Sequence, residues 1–334
     1  LTRRLDDRPH LIIVLNKELL TMQNRREAML SLLDATKPQE TIPAAFFLHF
    51  DPQFQRGWPA VEKHLEFFRY TGMDFVKIQF ELPFPRHPEI QRPADWANLP
   101  IYGKEFYQPQ LEVVEGLVRA AKGEALVVLT LYSPFMLAGQ AVGAETVEAH
   151  IREDPEAARR GIGRIAESLL IFVRECIRLG VDGFYHSTQG GEASRLGGSG
   201  LFEQCVKPFD LLVMNEIARS CIFNILHICD YHAPYTDLTP FLDYPGHVVN
   251  CSLHLGEELL TPQAISDLFG RPFMGGLERK GILATGTPAE VAQAANAALA
   301  QRSARFILGA DCTVPGGTSW DNLRTAIAAA HRGW

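Results

Sequence analysis

Three side chains with metal-binding chemistry close two apolar runs. The run Ile222-Phe-Asn-Ile-Leu-His-Ile-Cys229 ends on His227 and Cys229. Side chains two apart on a strand point to the same face, so one cation could touch both. The fragment Leu308-Gly-Ala-Asp-Cys312 ends a second apolar run on a matching thiol. Zinc takes thiolate sulfur at ~2.3 Å and imidazole nitrogen at ~2.0–2.1 Å, and three protein ligands leave the fourth corner open for catalysis. A metal so held lowers the pKa of a thiol or water in that corner. A thiolate made this way is a strong nucleophile toward a methyl group. The competing explanation is packing, because cysteine is among the most buried residue types and His227 can be a hydrogen-bonded core histidine. Spacing alone leaves the two explanations even.

Other polar residues stand where apolar runs end. These are His49, then Lys77, Gln79 and Glu81 on alternate positions, Tyr185 and His186, Asn250 and His254. His254 and Glu81 are candidates for a fourth ligand or for positioning the reacting group. His49, Lys77, Gln79, Tyr185, His186 and Asn250 are candidates for substrate contacts. Lys77 could equally be a barrel-core lysine. Gly190-Gly191 and Gly197-Gly198 could cradle an anion, although glycine pairs more often permit a tight loop. Tyr231, His232 and Tyr235 could wall a flat ligand.

The elements that must position these residues follow from the hydrophobic pattern. Strands are expected at 42–50, 74–81, 125–132, 181–187, 222–229, 247–252, 272–276 and 305–309. Helices are expected at 25–35, 60–71, 109–122, 155–179, 201–219 with a break near Pro208, 262–269, 288–300 and 320–331. Gly72 and Gly180 supply helix stops, and Pro288 suits a first turn. The Pro-rich stretch 83–109 reads as an ordered loop over a site. Continuous apolar strands suit a parallel sheet covered on both faces. Eight of them alternating with helices predict a (β/α)8 TIM barrel with an N-terminal helical extension, whose chemistry sits at the C-terminal strand ends. An open doubly wound sheet would carry a Gly-rich turn after its first strand, and Phe50-Asp-Pro-Gln is no such turn. Residues 1–23 are assigned to the extension and 24–334 to one barrel domain.

Composition narrows the function class. The 334 residues are 46% hydrophobic with a formal charge of −7. Basic residues are scattered, so no stripe follows a phosphate backbone and nucleic acid is not an expected partner. No apolar run approaches the roughly 20 residues of a membrane helix. The six cysteines contain no CxxC pair and show no disulfide framework, which fits a reducing cytoplasm.

From Asn24 onward the chain resembles the uroporphyrinogen decarboxylase superfamily. The resemblance rests on Asn24-Arg-Arg-Glu-Ala-Met, Thr41-Ile-Pro-Ala, Tyr70-Thr-Gly-Met-Asp-Phe-Val-Lys77, Leu179-Gly-Val-Asp-Gly183 and Gly286-Thr-Pro-Ala-Glu-Val291. It implies a (β/α)8 barrel and one of two activities. True decarboxylases use no metal and carry an Arg-Gln-Ala-Gly-Arg-Tyr type segment after the first strand. Here that place reads Leu48-His-Phe-Asp-Pro-Gln-Phe-Gln-Arg56, without the arginine pair. Their Gly-His-Gly near the last strand is replaced by Gly309-Ala-Asp-Cys312. The other branch, zinc-dependent methylcobamide:thiol methyltransferases such as those acting on coenzyme M, has His-x-Cys followed much later by a third-ligand cysteine. His227, Cys229 and Cys312 match that signature in order and placement. The resemblance therefore implies a zinc-dependent methyltransferase that uses a methylated corrinoid, carried by a separate corrinoid protein. The alternative is a metal-free decarboxylase of a tetrapyrrole or polycarboxylate, with Arg56, Lys77 and Arg86 as candidate cations.

Overall fold

The structure is a computed structural model and describes residues 25–332. The expected extension at 1–23 lies outside the described residues. Helix α1 covers 25–31, shorter than the expected 25–35, because the chain breaks into turns from 32 to 37. The main elements then run α2 (Gly57–Thr71), β1 (Phe75–Ile78), α3 (Lys104–Ala121), β2 (Leu126–Tyr132), α4 (Pro134–Val142), α5 (Ala144–Glu153), α6 (Pro155–Leu179) and β3 (Gly183–Thr188). Next come α7 (Leu201–Cys205), α8 (Lys207–Ser220), β4 (Ile225–Ile228) and β5 (Val248–Asn250). A short antiparallel hairpin, β6 (His254–Leu255) and β7 (Glu258–Leu259), precedes α9 (Pro262–Phe269) and β8 (Phe273–Leu277). The chain closes with α10 (Ile282–Thr285), α11 (Pro288–Ala300), β9 (Phe306–Ala310) and α12 (Trp320–Arg332).

Among the described residues, seven strands form one curled parallel sheet in the order β1-β2-β3-β4-β5-β8-β9, a TIM-barrel-like α/β fold. Nearly every strand residue is buried because helices cover one face and side chains fill the other. Each such Val, Leu, Ile or Phe side chain contributes roughly 1.5–3 kcal/mol on burial. The expected first strand at 42–50 is instead extended backbone with a single bridge, Ala44 to Leu308. Ala45 N donates to Leu308 O at 3.0 Å and Leu308 N to Pro43 O at 2.9 Å. On the other side Asp74 N donates to Ala44 O at 3.1 Å. Pro43 has no N–H to give, which breaks a regular ladder at its start.

Helix ends follow their capping chemistry. Asp154 accepts from Ala157 N, Pro155 occupies the first turn, and Gly180 ends α6 with φ 96°. Thr287 and Glu290 form a capping box on α11. The helix expected to start at Pro109 starts instead at Lys104, so proline lies inside α3. Its first turn is held by packing, with the Tyr107 ring stacked on Phe172 at 4.9 Å. The pair α4–α5 was not expected, since Ser133-Pro134 reads as a strand stop. Ser133 is in fact a helix cap that accepts from Met136 N. Gly183 opens β3 where a Cβ would sit 1.4 Å from Phe223 O, so no side chain fits there.

Candidate metal centre

The parallel register fixes which side chains share a level. Ser187 pairs with His227 and His227 with Asn250, so three neighbouring strands present these residues side by side. The backbone ladder continues past β4, where Cys229 N donates to Thr188 O at 3.0 Å. It also continues past β9, where Asp311 N donates to Leu277 O at 3.0 Å. These extensions carry Cys229 and Cys312 to the C-terminal ends of their strands.

There the three side chains converge. One ligand atom each from His227, Cys229 and Cys312 lies within 4.8 Å of the others. The two sulfurs are 4.0 Å apart. Among the described residues, neither ring nitrogen of buried His227 has a hydrogen-bond partner. Its ring stacks on Tyr185, with centroids 4.8 Å apart. Hydrogen bonds from Cys312 and the Gln189 amide, with the adjacent His227 ring, hold the Cys229 thiol well below its ordinary pKa despite burial.

The trio lies in a cavity of ≈ 770 Å³ at the strand ends. Tyr132, Phe135 and Met136 form an apolar wall, and Thr130, Ser187 and Gln189 add polar groups. Arg279 also lines it and is fixed by Asp230 at 2.8 Å and Asp311 at 2.9 Å. Tyr231 and His232 stand at the mouth, where Tyr231 is 68% exposed. The deeply buried Tyr235 is not among the lining residues.

The other expected site residues divide into groups. His49 and Tyr185 line the cavity with the trio. Glu81 stands behind His49 and pairs with its Nδ1 at 2.8 Å. Lys77, Gln79 and Asn250 do not line the cavity and form its bracing. Lys77 Nζ donates to Gln79 Oε1 at 2.8 Å and lies over the rings of Phe47 at 4.3 Å and Tyr185 at 4.5 Å. Burial pulls its pKa down to about 7. Gln79 also donates to Leu48 O and accepts from Thr130. Asn250 accepts from the Tyr185 hydroxyl and donates to Met274 O and Ala310 O, tying β3, β8 and β9 to its own strand β5.

His186 and His254 lie elsewhere. His186 points to the helix side of the sheet, among Phe184, Met214 and Ile217, and burial pushes its pKa down to about 3. His254 is exposed on the β6–β7 hairpin, pairs with Glu278 at 3.2 Å and lines a separate cleft of ≈ 350 Å³. Sequence reasoning did not single out Gln189, Arg195 or Arg279. Gln189 follows β3 directly and Arg279 follows β8 within two residues, so their positions after apolar runs were the available signal.

The family model of uroporphyrinogen decarboxylase (URO-D) matches residues 71–333. This chain belongs to that family. No curated protein matches it by sequence. Among solved structures, a methyltransferase from Methanosarcina mazei superposes with a TM-score of 0.71 at 14% identity, covering 92% of this chain and 98% of that one. A B12-independent methionine synthase from Shewanella sp. W3-18-1, solved with selenomethionine, gives a TM-score of 0.57 at 11% identity, covering 87% and 97%. At such identities these likenesses speak for the fold. Among the described residues, no helix is long and apolar enough to cross a membrane.

Proposed function

We propose that this chain is a zinc-dependent methyltransferase that moves a methyl group between a corrinoid and a thiol or similar acceptor. The observation that carries this reading is the convergence of one partnerless imidazole and two thiols in a cavity wall. The donor set fits zinc. Two sulfurs on one tetrahedral zinc stand about 3.8 Å apart, given Zn–S of ~2.3 Å, and here they are 4.0 Å apart. A buried imidazole with neither nitrogen satisfied costs stability unless something occupies a lone pair. His227, Cys229 and Cys312 would hold the metal.

Bound there, zinc supplies Lewis acidity that favours the anionic form of an acceptor thiol. The chain's own residues do the rest. Tyr132, Phe135 and Met136 keep water from the reacting groups, and Tyr185 holds the His227 ring flat against its own face. His49, oriented by Glu81, lines the same cavity and is placed to contact the acceptor. Lys77, Gln79 and Asn250 act from below by fixing Tyr185 and the strand ends. The exposed mouth around Tyr231 and His232 is where a separate corrinoid protein would dock. A reducing compartment such as the cytoplasm would keep the two thiols available. We read segment 43–48, hydrogen-bonded on both sides, as the eighth strand position of a (β/α)8 barrel.

The test is methylcobalamin consumption in the presence of a panel of small thiols, followed by the loss of its absorbance. The reading predicts turnover that chelation abolishes and zinc restores. Chelator-insensitive release of carbon dioxide from uroporphyrinogen, with no thiol methylation, would contradict it.

A further inference from the structure

We propose that Gln189 is a positioning residue for the metal centre, aimed at Cys229 by a buried arginine–carboxylate brace. This rests on the zinc reading above. Gln189 is buried one residue beyond β3, and its Nε2 donates to Cys229 Sγ at 3.2 Å. Its Oε1 accepts from Arg195 Nη1 at 3.4 Å. Arg195 is itself fixed: Nε donates to Glu148 at 2.7 Å, Nη1 to Glu192 at 3.2 Å, and its guanidinium lies over the Phe135 ring at 5.0 Å. The second oxygen of Glu192 accepts from Gly190 N at 2.6 Å. Leu196 N and Gly197 N fold the loop back onto Gly190 O and Glu192 O. A Cβ at Gly197 would sit 2.3 Å from Gly191 O, so that turn has no room for a side chain.

The direction of the amide is forced. A guanidinium has only donors, so the oxygen of Gln189 must face Arg195 and its NH₂ must face the sulfur. A hydrogen bond from an amide to a sulfur gains strength when the sulfur carries charge. Glu148 and Glu192 together hold Arg195, Arg195 holds Gln189, and the brace ends on one donor pointed at one ligand. Outer partners of this kind tune metal affinity 10–100-fold.

The test uses the full chain and zinc or Co(II) alone as the probe. Gln189→Met removes the donor, and Gln189→Glu keeps the shape but turns an acceptor toward the sulfur. Chelator competition should show zinc affinity ten- to a hundredfold weaker in both. The thiolate-to-cobalt charge-transfer band should shift, and the metal-free protein should still unfold cooperatively, with a melting temperature lowered only modestly by the lost hydrogen bonds. Arg195→Met should weaken zinc affinity by a smaller factor. If Gln189→Met does not fold, the near-isosteric Gln189→Glu carries the test. Unchanged affinity and band in the Gln189 variants, with zinc bound by the parent protein, overturns this inference and leaves the zinc reading standing. A parent protein that binds no zinc overturns both.

Discussion

Two histidines on neighbouring strands share one unusual property and differ in everything around it. His186 on β3 and His227 on β4 are both buried, and among the described residues neither has a hydrogen-bond partner on either ring nitrogen. The strand alternation sends them to opposite faces. His227 meets two sulfurs and the Tyr185 ring. His186 meets Phe184, Met214 and Ile217. A partnerless imidazole therefore points to a ligand only where other donors converge on it. On the helix side the same feature is a neutral packing group.

Substitutions sharpen this contrast. The largest expected effect is on metal: His227→Ala should weaken zinc binding by at least about a hundredfold, since it removes a direct ligand rather than an outer partner. His186→Leu should leave zinc stoichiometry unchanged in the same assay. Equal losses in both variants would erase the distinction.

The next effect is on stability against pH. Burial holds the pKa of His186 near 3, against 6.5 in the unfolded chain. The unfolded state therefore binds a proton between these values and the folded state does not. His186 should make stability fall by up to about 1.4 kcal/mol per pH unit as pH drops from about 6.5 toward 3. Denaturation of His186→Leu across that window should lack this component. Asp210 provides the opposite sign on the same side of the sheet. Burial raises its carboxyl from 3.8 to about 7, so the folded state binds the extra proton and stability falls as pH rises from about 4 to 7. Asp210→Asn should flatten that slope, again by up to about 1.4 kcal/mol per unit. The smallest effect is expected on the hairpin. His254→Ala loses one exposed contact to Glu278, and should change stability by less than about 1 kcal/mol and zinc binding not at all.

The same contrast explains what could be read in the chain. Apolar runs bounded by glycine, proline and capping residues place α6, α9 and α11 with the observed ends, because local chemistry alone decides where those helices stop. His-x-Cys spacing on a strand and a thiol after another strand are enough to bring His227, Cys229 and Cys312 together, since period and parallel register do the rest. The residue types of Tyr185 and His186 suggest that both face a ligand, but adjacent strand positions cannot share a face. In the sequence His254 reads as a rim residue because hairpin β6–β7 has no signal separating it from the strand end before it. The brace through Arg195 lies in an irregular loop and reaches back to Glu148 on α5. Such a contact depends on tertiary approach, and no periodicity reveals it.

Metal analysis of the purified protein reaches the central claim most directly. The account predicts about one zinc per chain in the parent and none retained by Cys229→Ser/Cys312→Ser. Stoichiometric zinc remaining on that double variant would contradict it.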